Sequence, residues 1–186
     1  PAAAVASMEM IEVSPQGLSV LAADPGIAAA VVETPAADPD LQRWRVQDLS
    51  AGGYGLLVDR GAAEAVLLQG LVALRNHETG GWIVGSVVRK QPNRARGVLV
   101  GIEVLGYRPI PVELIPEGPS NVPAVFLPGI DSGGRDDALL LPIGDFRAGN
   151  RYALRVGGRR YGVRLNRIIG KGADWISARF EIDWKT

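Results

Sequence analysis

Short apolar runs recur along the whole chain, and residues typical of turns separate them. Runs of this length that are bounded by Gly, Pro, Asn and Ser are typical of β-strands in barrels and sandwiches. The predicted strands are 8–13, 18–22, 43–48, 54–58, 67–75, 82–90, 97–105, 124–127, 138–141, 151–156, 161–169 and 175–182. Because the turns at 77–81 and 91–96 are short, we expect antiparallel neighbours. The pattern therefore predicts an all-β protein.

Proline divides this pattern into three parts. The loop 33–40 is acidic and proline-rich, and the segment 107–119 contains four prolines. Each proline biases the residue before it away from helix, so both segments are predicted to be connectors, the second with one extended edge piece. The predicted parts are an N-terminal β segment with its acidic loop at 1–41, a β unit at 42–106 and a C-terminal β module at 107–186. The alanine-rich run 25–32 fits a helix or a strand equally well.

The densest combination of charge, hydroxyl and glycine lies at 42–58. Arg43 and Arg45 share one face of a predicted strand there, and Trp44 faces the opposite side. This alternation is typical of a half-buried strand. The two guanidiniums fit a solvated face as well as a ligand site.

Asp48 and Ser50 follow on the same strand and precede the glycine pair Gly52-Gly53. Asp and Ser at such a position form Asx or ST turns that cap a hairpin. They are also hydrogen-bonding groups beside a flexible backbone, as a ligand site requires. The residue types alone leave both roles open.

Composition narrows the chemistry. Without Cys and with one His, the chain offers no thiolate and no imidazole-rich metal centre, and it contains no nucleophile elbow or phosphate loop. We therefore expect a binding protein without catalytic residues, metal or cofactor. No apolar run reaches membrane-spanning length, so no membrane partner is expected.

Charge is balanced overall but unevenly distributed. Residues 1–42 contain six acidic residues and no Lys or Arg, so the rest of the chain carries all twenty basic residues against fourteen acidic ones. Seventeen of the twenty are Arg, whose planar fork suits phosphates and guanine edges, although a GC-rich genome gives the same bias. Acidic residues offset the basic hairpin at 159–167, so no DNA partner is expected.

A family resemblance appears once the motifs are read in order. The motif Asp48-x-Ser50-x-x-Gly53 is followed by a strand that starts at Trp82 and a strand reading Gly-Val-Leu-Val-Gly-Ile-Glu at 97–103. Together they resemble a PilZ domain over residues 42–106. The resemblance implies a six-stranded antiparallel barrel in the bacterial cytoplasm that binds cyclic di-GMP and signals to an effector protein.

On this resemblance the expected ligand-binding residues are Arg43, Arg45, Asp48, Ser50, Gly52, Gly53 and Arg89. Guanine presents O6 and N7 acceptors that a guanidinium matches, and phosphates favour charge-assisted donors. Asp48 is expected to accept from guanine N–H groups, Ser50 to donate to a phosphate, and Gly53 to allow close backbone approach.

The chain departs from the family at the arginine arm. Such domains carry an Arg-x-x-x-Arg element upstream of the Asp, whereas no basic residue precedes Arg43 here. The pair Arg43-x-Arg45 has a different spacing and lies closer to Asp48. Three hypotheses stand: the arm precedes Pro1, a start without Met that we expect to lie within a longer protein; Arg43, Arg45 and Arg89 replace it; or the domain is a scaffold that binds protein without nucleotide.

A possible internal repeat adds to this third hypothesis. Glu12-x-Ser14-x-x-Gly17 has the spacing of Asp48-x-Ser50-x-x-Gly53, and an apolar run follows each. If the two motifs mark a duplication, the arginine arm belongs with the Glu12 motif.

Overall fold

The computed structural model describes residues 10–14, 41–76, 80–93, 97–116, 121–129, 136–156 and 159–185. In these ranges twelve strands form two closed antiparallel barrels of six strands each. The predicted all-β class and the six-stranded barrel are confirmed. One short helix, α1 (Arg60–Glu64), and one 3₁₀ turn (Ile143–Asp145) complete the described elements. No helical segment in the described ranges is long and apolar enough to cross a membrane.

The first barrel uses strands from both predicted N-terminal parts. Its strands are β1 (Met10–Ser14), β2 (Gln42–Ser50), β3 (Gly53–Val58), β4 (Leu71–Asn76), β5 (Trp82–Asn93) and β6 (Gly97–Tyr107), in the order β1-β2-β3-β6-β5-β4. Strand β1 pairs with both β2 and β4 and so closes the barrel. The sequence placed residues 10–14 in a separate segment, but 42–106 alone would leave two unpaired edges. The runs 18–22, 25–32 and 33–40 lie outside the described residues.

The second barrel begins almost immediately after the first. Its strands are β7 (Ile110–Ile115), β8 (Val122–Leu127), β9 (Ala138–Pro142), β10 (Arg151–Val156), β11 (Arg159–Lys171) and β12 (Trp175–Lys185). The predicted edge piece in 107–119 is wrong, because β7 pairs with β8 on one side and β10 on the other. Strand β10 pairs only with Glu113, Leu114 and Ile115. Pro111 therefore lies where β7 has a single neighbour, and there a residue without N–H is tolerated.

The two barrels have the same strand order. The second runs β7-β8-β9-β12-β11-β10, which repeats β1-β2-β3-β6-β5-β4 position by position. A short helical segment follows the third strand in each barrel. The repeat in the structure therefore relates barrel to barrel. Glu12 and Ser14 lie on β1, a direct neighbour of β2, so their motif is not the counterpart of the Asp48 motif in a second module, and Gly17 lies outside the described residues.

A shared core joins the barrels. The first barrel contributes Leu71, Ala73, Val84, Trp82 and Leu105, and the second contributes Val125, Leu127, Ala138, Leu140 and Trp175. The carbonyl oxygen of Gln69 accepts two hydrogen bonds across this junction, from Trp175 Nε1 at 2.8 Å and from the Ala173 N–H at 3.0 Å. Burial of these apolar side chains, which drives association, fixes the second barrel against β4 and β5.

Candidate functional site

An open groove of about 440 Å³ lies on the outer face of the first barrel, over strands β2, β3, β6 and β5. Its lining includes five of the seven predicted site residues: Asp48, Ser50, Gly52, Gly53 and Arg89. It also includes residues that the sequence analysis did not propose for the site: Tyr54, Gly55, Val88, Gly101, Ile102 and Glu103. The motif half of the predicted site is therefore brought together, whereas Arg43 and Arg45 are not among the lining residues.

One row of paired residues crosses the floor of this groove. Asp48 pairs with Gly55, Gly55 with Gly101, and Gly101 with Arg89, so the row spans four adjacent strands. A Cβ atom at Gly55 would lie 2.5 Å from both carboxylate oxygens of Asp48. A Cβ at Gly101 would lie 3.4 Å from Nε of Arg89. The carboxylate and the guanidinium therefore lean inwards over bare backbone from opposite ends of the row.

Two β-bulges aim these charged side chains outwards. The register shifts place one extra residue in each strand, Gln47 in β2 and Val88 in β5. Strict alternation from the buried Trp44 would turn Asp48 towards the core. The extra residue reverses the alternation, so Asp48 faces solvent, and the bulge at Val88 does the same for Arg89.

A second row lies beside the first and contains Ser50, Gly53, Glu103 and Ser86. The Ser50 hydroxyl donates to the carbonyl oxygen of Gly53 at 3.3 Å, so this side chain caps the hairpin. A Cβ at Gly53 would collide with the carbonyl oxygen of Ile102. The Ser and Gly of the motif thus hold β2, β3 and β6 together, and Asp48 is the motif residue left to meet a ligand.

The charged groups of the groove are exposed and uncommitted. Within the described residues, the side chains of Asp48, Arg89 and Glu103 take part in no hydrogen bond or ion pair. The neighbouring Lys90 is different, because its ammonium donates to the carbonyl oxygen of Val66 at 2.9 Å. The lining therefore presents two free carboxylates and one free guanidinium.

The two upstream arginines lie at different distances from the groove. Arg45 pairs with Leu57 in the row next to Asp48 and is exposed at the groove's margin. Arg43 lies beyond the end of the β3 pairing, opposite position 12 of β1, and it already has an interaction partner. Of the predicted pair, only Arg45 is placed to reach a bound ligand.

The floor row places opposite charges above two neighbouring glycines. The Asp48 carboxylate lies over Gly55 and the Arg89 side chain lies over Gly101, and these glycines pair directly between β3 and β6. The site therefore presents a carboxylate acceptor and a guanidinium donor side by side. Among the described residues, no group of three or more His, Asp or Glu side chains could hold a metal ion.

Comparison of the chain with protein-family models, curated proteins and solved structures gave no match. The chemistry assigned to the groove rests on its own geometry.

Proposed function

We propose that the first barrel is a PilZ-type regulatory module that binds cyclic di-GMP in this groove, in the cytoplasm. The observation that supports the proposal is the row Asp48–Gly55–Gly101–Arg89. Guanine carries acceptors O6 and N7 on one edge and donors N1–H and N2–H on the adjacent edge. A guanine that approaches these two side chains offers its acceptors to Arg89 and its donors, on the adjacent edge, to Asp48.

The same row disfavours adenine. The adenine N6 amino group is a donor where guanine O6 is an acceptor, and adenine N1 is an acceptor where guanine carries N–H. A donor would then replace one of the two acceptors that face Arg89, and an acceptor would face Asp48, so both contacts are weakened. The groove is thus expected to select guanine over adenine.

Arg45 supplies the second basic group that the ligand needs. Its side chain is exposed and takes part in no hydrogen bond or ion pair within the described residues, and it lies in the row next to Asp48. A guanidinium at the margin of the groove can donate charge-assisted hydrogen bonds to a phosphate. Arg45 and Arg89 together are proposed to replace the Arg-x-x-x-Arg element absent from residues 1–42.

Isothermal titration with cyclic di-GMP tests the proposal. Arg89→Ala and Asp48→Ala are each expected to weaken binding by about 10- to 100-fold, because each removes a charge-assisted hydrogen bond. Arg60→Ala is the matched control, since Arg60 is exposed on α1 outside the groove. Cyclic di-AMP should bind much more weakly than cyclic di-GMP. Absence of heat with cyclic di-GMP at high micromolar concentration would overturn the proposal.

The charge of the groove favours a second candidate, a scaffold that binds protein without nucleotide. The lining has two carboxylates against one guanidinium, which suits a basic peptide segment better than an anion. A nucleotide-independent complex with an effector protein, lost in the double variant Asp48→Ala with Glu103→Ala, would support the scaffold. An effector complex that forms only with cyclic di-GMP would support the receptor.

A further inference from the structure

Glu103 is the charged groove residue that the base contacts leave unused. It lies on β6 two residues beyond Gly101 and pairs with Gly53 on one side and Ser86 on the other. Its side chain is exposed and has no hydrogen bond or ion pair within the described residues, so it does not hold the barrel together. Its row is offset from the Asp48–Arg89 row by two residues, or about 7 Å, which places it beside a base rather than at its edge.

We propose that Glu103 is a specificity residue that excludes phosphate monoesters, so that the groove accepts a cyclic dinucleotide and rejects its linear form. This inference rests on the proposed function, and it deepens it by naming the group that discriminates between two guanine dinucleotides. The cyclic ligand has diester phosphates only, whereas linear pGpG adds a terminal monoester that carries about −1.5 to −2 charge at neutral pH.

Position explains the discrimination. The Cα atoms of Glu103 and Arg89 are one strand spacing and two residues apart, or about 8 Å. The Arg89 guanidinium has five N–H donors, so donors remain for a phosphate beside the two that meet the guanine edge. A phosphate bound there lies close to the Glu103 carboxylate. Repulsion between the two grows with the charge on the phosphate, so a monoester is penalised more than a diester. Arg89 is exposed and has no competing ion pair in the described residues, so Glu103 sets this balance without blocking the guanidinium.

Titrations with cyclic di-GMP and with pGpG test the inference on wild type, Glu103→Gln and the control Glu64→Gln. Glu64 is exposed on α1 and lies outside the groove, so its variant removes the same charge from the same barrel. We expect Glu103→Gln to bind pGpG about tenfold more tightly and cyclic di-GMP about threefold more tightly, as for one like charge at this separation. The control should change neither value. The gain should shrink on going from about 0.05 M to about 0.5 M salt, because salt screens exposed charges.

Each outcome separates this inference from the proposed function. If wild type binds cyclic di-GMP and Glu103→Gln leaves the cyclic-to-linear ratio unchanged, the inference fails and the proposed function stands. Weaker cyclic di-GMP binding by Glu103→Gln also overturns it, because Glu103 would then contact the base. Binding of cyclic di-GMP by the variant alone overturns both proposals, because the wild-type groove would then not accept the cyclic form. If neither protein binds either dinucleotide, both proposals fall.

Discussion

The two barrels share one strand order but use the same face in opposite ways. The third and sixth strands of the first barrel meet at Gly55 and Gly101, under an open groove. The corresponding strands of the second barrel meet at Leu140 and Ser177, which are 0% and 9% exposed. Leu140 packs in the core shared with the first barrel. Side-chain size at the outward positions of one strand pair thus distinguishes an open groove from a docking surface.

The two barrels also differ in how their charged side chains are paired. On the second barrel, three arginines of β10 and β11 are paired with acidic residues: Arg155 with Glu113 at 2.9 Å, Arg151 with Asp183 at 3.3 Å, and Arg164 with Glu181 at 3.3 Å and Asp183 at 3.2 Å. Arg159 and Arg167 on β11 are exposed and have no ion pair among the described residues. The groove charges of the first barrel have no such partners among the described residues. Charges paired within a surface are largely compensated, and unpaired ones remain to meet a ligand. The comparison supports the proposal that the first barrel binds the ligand and the second supports it.

Truncation of the docking face should have the largest effect. Leu140→Ala is expected to lower the free energy of unfolding by about 2–5 kcal/mol, because it opens a cavity in the shared core. Leu49→Ala is the control: Leu49 is 63% exposed on β2, and a surface substitution should change stability by less than about 0.5 kcal/mol. Urea titration measures both. Equal, small effects would show that the barrels do not depend on this core.

A methyl group added at Gly53 should have a different effect from one added at Gly55, the other glycine that β3 contributes to the groove. Gly53→Ala drives a Cβ into the backbone carbonyl of Ile102, and we expect a loss of about 1–3 kcal/mol. Gly55→Ala meets only the mobile end of the Asp48 side chain, so stability should change by less than about 1 kcal/mol. The displaced carboxylate should nevertheless weaken cyclic di-GMP binding by about tenfold. Comparable decreases in the free energy of unfolding in both variants would contradict the expectation that a Cβ atom at Gly55 displaces only the Asp48 side chain.

The sequence predicted the strands and the motif better than the site built from them. Period-two alternation around Trp44 and the glycine turn at 52–53 are local signals, and β2 and β3 lie where those signals indicate. The outward direction of Asp48 and Arg89 depends on bulges at Gln47 and Val88, which arise from pairing with distant strands and leave no local pattern. Glu103 was recognised only as the last residue of the strand motif at 97–103 and was not predicted to be a site residue.

The closure of the second barrel was not predicted, for a related reason. Its first strand lies in a proline-rich segment that is typical of a connector, and only pairing with both β8 and β10 makes it part of a closed barrel. Likewise, nothing local in residues 10–14 reveals that they complete the first barrel. Closure is a property of long-range pairing, which the sequence pattern does not encode one strand at a time. The alternating Gly53 and Gly55 were the one local signal that could have revealed the groove floor.

Neutralising one acidic residue in each barrel should show the difference between a paired and an unpaired carboxylate. Asp183→Asn removes the partner of both Arg151 and Arg164, and we expect a loss of about 0.5–1 kcal/mol that falls at high salt. Asp48→Asn removes a carboxylate without a partner in the described residues, so unfolding should be unchanged within about 0.3 kcal/mol. Both are measured by urea unfolding at low and high salt. Equal losses of unfolding free energy would mean that Asp48 stabilises the barrel and is not a free carboxylate available to a ligand.

The smallest expected effect concerns the turn residue Gln69, which contacts the second barrel. Its φ of 63° is left-handed, a region that costs a non-glycine residue about 1 kcal/mol, and its carbonyl accepts both hydrogen bonds from the second barrel. Gln69→Gly should relieve that cost while the freer unfolded chain offsets part of the gain, leaving stability within about 0.5 kcal/mol of wild type. Leu68→Gly is the control, because Leu68 is exposed and has no positive φ, and it should lose about 0.5–1 kcal/mol. Equal losses in the two variants would mean that the left-handed conformation of Gln69 has no cost. A smaller loss at Gln69 would show that the residue that accepts the hydrogen bonds from the second barrel is held in a conformation that favours glycine.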